Sequence, residues 1–160
     1  MAKAIPRWIY LLSLLSLTGF FAAISMLQLL SFPGQFAFEA RTGHGTQLAR
    51  WVLTFIVGIW FIFAQVSLIA LAKIISFIYR GELLSSRGKK WMNVLSRALV
   101  SGTVYGGGVT LFAAIQADDP GPVVVVATLT AFTASISGIG YFLRFQLFFR
   151  QLFHDLYFQQ

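Results

Sequence analysis

The run WVLTFIVGIWFIFAQVSLIALAKIISFIY, residues 51–79, decides the fold. It holds 29 residues and a single charge, Lys73. Wound as an α-helix it reaches ~43 Å at ~1.5 Å per residue. A bilayer's hydrocarbon core is ~30 Å thick, so the run can cross it with length to spare. It must therefore tilt, or project into water at one end. Arg80-Gly81 comes directly after Tyr79, and the positive charge of Arg80 makes the cytoplasmic side the expected place for the projecting end.

Three further runs have the same character: Trp8–Leu30, Val94–Gln116 and Val123–Leu143. Each supplies the ~20 apolar residues that a helical span requires. Backbone polar groups find no water in lipid, so a spanning segment must be a helix or part of a closed barrel. The ~10-residue alternating strands of a barrel are absent from the sequence. The fold class this predicts is all-α: an integral membrane four-helix bundle, one membrane domain over 1–160, with spans about 8–30, 51–79, 94–116 and 123–143. Trp8, Tyr10, Trp51, Tyr79, Trp91 and Tyr141 stand near the span ends, as interfacial aromatic residues do.

Composition agrees with lipid as the solvent. Of 160 residues, 58% are hydrophobic and 11% charged, where a soluble domain averages about a quarter charged. The formal charge of +7 lies between apolar runs, so it reads as membrane orientation and contact with anionic headgroups, with no direct nucleic-acid role. The absence of cysteine excludes disulfides, Cys-ligated metal and thiol redox chemistry. The start, Met1 to Arg7, has the basic character of a signal peptide, but the apolar run behind it exceeds the ~7–15 residues of an h-region and reads as an uncleaved span.

Lys and Arg set the orientation. With the N-terminus cytoplasmic, Lys3, Arg7, Lys73, Arg80, Arg87, Lys89, Lys90, Arg97, Arg144 and Arg150 fall inside, and Arg41 and Arg50 outside. Both termini are then cytoplasmic. The outer connection Ala117-Asp118-Asp119-Pro120-Gly121-Pro122 is short and rich in turn formers, which predicts a tight hairpin of spans 3 and 4. The tail 144–160 spaces Phe145, Phe148, Phe149, Leu152, Phe153 and Leu156 as an amphipathic helical extension. It can lie on the membrane or extend span 4.

Candidate functional residues are of two kinds. Span 3 carries Ala98, Gly102, Gly106, Thr110 and Ala114 four apart on one face, and span 4 carries Ala127, Ala131 and Ser135 at the same spacing. Small residues allow close helix approach in lipid, so these faces pack on each other within the chain, or form a homodimer interface or a substrate path. The second kind is basic: Arg80, Arg87, Lys89, Lys90, Arg97, Arg144 and Arg150, expected to contact a protein partner or anionic lipid. Within the connecting turn, Gly81 suits a left-handed helix cap, Ser85 or Ser86 an N-cap, and Leu83 and Leu84 are expected to tuck beneath the bundle.

No catalytic, cofactor or metal constellation is visible. His44 and His154 are expected on opposite membrane faces, and Gly106-Gly107-Gly108 lacks the Lys-Ser/Thr of a phosphate loop. No acid is expected within a span, which argues against ion-coupled transport.

Two segments carry a family resemblance. One is Gln65-Val66-Ser67-Leu68-Ile69-Ala70, with Ile78-Tyr79-Arg80-Gly81-Glu82-Leu83-Leu84-Ser85 behind it; the other is Asp118-Asp119-Pro120-Gly121-Pro122, with Arg144 and Arg150-Gln151-Leu152 behind it. Over roughly residues 50–155 the chain resembles a family of small four-span bacterial membrane proteins, actinobacterial members in particular, classed as a domain of unknown function. The family's usual Phe before the serine is replaced by Leu84 here. The resemblance implies a bacterial plasma-membrane location and no established activity. Some members are encoded beside small helix-turn-helix regulators, which implies a membrane partner for a regulator.

The expected function is thus a non-enzymatic accessory or regulatory membrane protein that docks a cytoplasmic partner through residues 80–91 and the tail. The alternatives are binding or transport of an apolar molecule or lipid, and a structural subunit of a larger membrane complex.

Overall fold

A computed structural model describes residues 6–43 and 46–116, together with Val124, Ala127, Thr128, Thr130, Ala131, Thr133, Ala134, Ser135 and Gly138. Among these residues the structure is all-helical, with no strand. The elements are α1 (Arg7–Met26), a π-helical turn (Leu27–Ser31), α2 (Phe32–Arg41), α3 (Gln47–Tyr79) and α4 (Ser86–Gln116). Two helical stretches, Arg7–Phe38 and Gln47–Tyr79, are long and apolar enough to cross a membrane. The chain divides into two compact units, Met1–Ala98 and Leu99–Gln160. Residues 44–45, the 117–122 connection, most of the segment expected as span 4 and the tail with His154, Arg144 and Arg150 lie outside the described residues.

The first helix does not stop at Leu30, the expected end of the first span. It continues through the π turn into α2 and ends at Arg41. Pro33 lies within this continuation. It has no N–H to give the carbonyl four residues back and its ring crowds that carbonyl, which normally breaks a helix. Here the ladder widens first: the Phe32 N–H bonds to the Leu27 carbonyl, a five-residue step. Pro33 then falls in the first turn of α2, where a missing N–H costs little.

α3 begins a turn earlier than its apolar run. Thr46 is extended (φ −97°, ψ 157°) and its hydroxyl accepts from the Ala49 N–H at 3.1 Å, an N-cap. α4 likewise begins before its apolar stretch: the Ser85 hydroxyl accepts from the Gly88 N–H at 3.2 Å.

In the first unit, α1 and α3 pair antiparallel, and their seam carries specific contacts from end to end. Tyr10 stacks on Tyr79 with centroids 4.4 Å apart, and its hydroxyl lies 3.4 Å from Ser76 Oγ. Farther along, Gln65 Nε2 donates to Ser25 Oγ at 3.1 Å, and Gln28 Nε2 donates to the Gly58 carbonyl at 3.2 Å. Phe32 meets Phe61 at 5.4 Å. Side-chain hydrogen bonds between helices in lipid contribute about 0.6 kcal/mol each, so their value is in register as much as in strength. Little is fully buried in this pair; Ala70, at 0% exposure, is the tightest point.

Candidate functional site

The turn from α3 to α4 is built by three backbone devices. Gly81 takes φ +72°, in the left-handed region, and closes α3. The Glu82 N–H reaches back to the Phe77 carbonyl at 2.8 Å and the Gly81 N–H to Ile78 at 3.0 Å, a paired C-terminal cap. Ser85 then caps α4. Gly88 is buried, and a Cβ placed there would collide with the Leu83 carbonyl. The turn is thus fixed in shape by its backbone.

Arg80, Arg87, Lys89 and Lys90 are exposed on this turn and the start of α4, and Arg97 is exposed about three turns into α4. Among the described residues, none of these cations forms a salt bridge, even with nearby Glu82. Leu83 is half-buried, but Leu84 is 53% exposed, so only one of the two leucines expected to tuck in does so. Four cations and an exposed leucine therefore share this rigid turn and the helix start behind it.

The small-residue face of α4 divides with the chain. Ala98, at 7% exposure, is buried in the first unit. In the second unit Gly102 and Gly106 are buried and Thr110 is half-buried. The Ala114 side chain lies outside the described residues. Thr110 donates to the Gly106 carbonyl at 2.8 Å and lies 3.2 Å from Thr130 Oγ1, which brings α4 to the segment expected as span 4. On that segment Ala127 is half-buried while Ala131 and Ser135 are exposed. Thr130, outside the expected set, makes the contact; an offset of one position on a helix is not readable without its partner.

A groove opens in the first unit between the π turn and α3. Its volume is about 570 Å³, and Leu29, Pro33, Trp51, Phe55, Gly58 and Ile62 are among its walls. Nothing in the sequence reading anticipates it. Pro33 is the available signal, since it follows the widened turn and lines the groove with Leu29. A second open groove of about 270 Å³ lies between Leu14, Leu17 and Phe21 of α1 and Leu68 and Ala72 of α3.

The family described as Protein of unknown function (DUF2975) matches residues 34–150. The chain belongs to this family. The DUF2975 match begins inside α2, earlier than the segment that carried the resemblance, and takes in α3, the basic turn and α4. No curated protein and no solved structure matches the chain.

Proposed function

We propose that this chain is a non-enzymatic accessory or regulatory protein of the bacterial plasma membrane that docks an acidic cytoplasmic partner on its basic turn. It spans the membrane four times, with both termini cytoplasmic, and the tail after Arg144 extends the docking face. The observation that carries this reading is the turn itself. Arg80, Arg87, Lys89 and Lys90 are exposed, without an ion pair among the described residues, on a backbone locked by Gly81, Ser85 and Gly88. Cations held in fixed positions lose less freedom on binding than cations on a flexible loop, and this improves affinity. Electrostatic complementarity then selects an acidic surface and speeds its encounter.

The test is a full-length chain with a photo-crosslinker at Ser86, expressed in its native membrane, with and without the combined changes Arg87→Gln, Lys89→Gln and Lys90→Gln. The neutralised chain should insert normally and lose its crosslinked partner. Equal recovery of that partner from both chains would overturn the docking role.

A further inference from the structure

We infer that the groove between the π turn and α3 seats one acyl chain of a glycerophospholipid, whose phosphate is held by the Arg50 guanidinium. The inference rests on the membrane-spanning reading but not on the docking role of the basic turn.

The groove's length fits one leaflet. It runs along α3 from Trp51 to Ile62, eleven residue steps, or ~16 Å at ~1.5 Å per residue. Half of a ~30 Å hydrocarbon core is ~15 Å. Two of its polar side chains hydrogen-bond inside the protein. Gln28 Nε2 donates to the Gly58 carbonyl at 3.2 Å, and the Thr54 hydroxyl donates to the Arg50 carbonyl at 2.8 Å. Most of the wall surface is hydrocarbon and aromatic. Leu29, Phe55 and Trp51 are 71%, 70% and 62% exposed, so the groove opens sideways, where lipid chains lie.

Charge completes the match at one end. Arg50 immediately precedes Trp51, and its guanidinium carbon sits 4.9 Å above that ring. Its Nε is buried without a hydrogen-bond partner, and Nη1 reaches only Gln47 Oε1, at 3.5 Å. No carboxylate whose side chain is described pairs with it; the Glu39 side chain lies outside the described residues. A guanidinium pinned over an aromatic face, with N–H groups unspent, is suited to a phosphate, which accepts two parallel hydrogen bonds from the planar fork. A cation stacked on Trp51, a wall residue at one end of an apolar groove, is complementary to an anionic headgroup joined to a hydrocarbon chain.

The experiment uses the full chain purified in neutral detergent, mixed with palmitoyl-oleoyl phosphatidylglycerol and read by native mass spectrometry. The wild type should retain a single phospholipid. Arg50→Gln should lower retention about tenfold, the scale of one lost charge-assisted hydrogen bond. Gly58→Leu, which fills the groove floor, and Ile62→Trp, which fills its far end, should each do the same. Either suffices if the other fails to fold, as judged by its helical circular dichroism. Arg41→Gln, at the exposed end of α2, should leave retention unchanged. Dioleoylglycerol, which has chains but no phosphate, should not be retained. The site is overturned if Arg50→Gln retains phospholipid as well as the wild type, if dioleoylglycerol binds equally, or if a second copy of the chain occupies the groove in place of lipid. The chain neutralised at Arg87, Lys89 and Lys90 should keep its phospholipid; loss there would move the lipid to the basic turn and equally overturn the groove.

Discussion

A methyl group added at Gly88 has nowhere to go, because the Leu83 carbonyl already occupies its place. At Gly81 the obstacle is different: the surroundings are open, but φ is +72°. A left-handed conformation costs an ordinary residue ~1–2 kcal/mol. Overpacking against backbone costs ~1–3 kcal/mol, and here it also displaces the Gly88 N–H from its cap on Ser85. Gly88→Ala should therefore lower the thermal midpoint in detergent more than Gly81→Ala, and Ser86→Ala, exposed beside them, should barely change it. The opposite ranking would mean that the turn is not held by close backbone approach. The two glycines also differ in how legible they are. Gly81 stands after a long apolar helix and a basic residue, a recognisable stop signal in sequence. Gly88 lies inside a helix, where glycine carries no such meaning, and its role depends on a carbonyl five positions away.

At the scale of the elements, the helix pair α1–α3 is legible in outline and altered in detail. Apolar length reveals both helices, and Gln28 and Gln65 stand out as polar residues within apolar runs. That each is satisfied across the seam, on Gly58 and Ser25, depends on a register that only packing sets. The apolar run ends the expected first span at Leu30, whereas the helix passes Pro33 through the five-residue step from Phe32 to Leu27. Pro33→Ala restores the missing N–H and favours an ordinary helix through this region. Removing the extra residue of the π turn would rotate one end of the helix against the other by about 100°, one residue's share of a 3.6-residue turn. The Gln28–Gly58 and Phe32–Phe61 contacts then cannot both persist. A short bis-thiol reagent should bridge Phe32→Cys and Phe61→Cys efficiently with Pro33 present, and several-fold less in Pro33→Ala. A Tyr10→Cys, Tyr79→Cys pair, in the α1 portion on the far side of the π turn, should bridge equally in both. Undiminished bridging at the first pair would show that the π turn does not depend on Pro33.

For the whole molecule, the distribution of charge makes the orientation testable. Ten Lys and Arg residues fall on the expected inner side and two on the outer, counted along the sequence. The docking proposal depends on this arrangement, since it places Arg87, Lys89 and Lys90 inside. The chain has no cysteine, so a single introduced cysteine reports cleanly on its own position. Leu48→Cys, 75% exposed near the start of α3, should react with an impermeant maleimide added to intact cells. Ser86→Cys, exposed at the start of α4, should react only after the membrane is opened. Neutralising Arg87, Lys89 and Lys90 removes three of the ten inner cations and leaves seven against two, still a clear excess, so the labelling pattern should not change. That constancy allows loss of a partner in the neutralised chain to be attributed to the turn's charge. If Ser86→Cys reacts in intact cells, the basic turn faces outward and a cytoplasmic partner on it is ruled out. If only the neutralised chain inverts, the three cations serve orientation, and the docking surface must be sought elsewhere on the inner face.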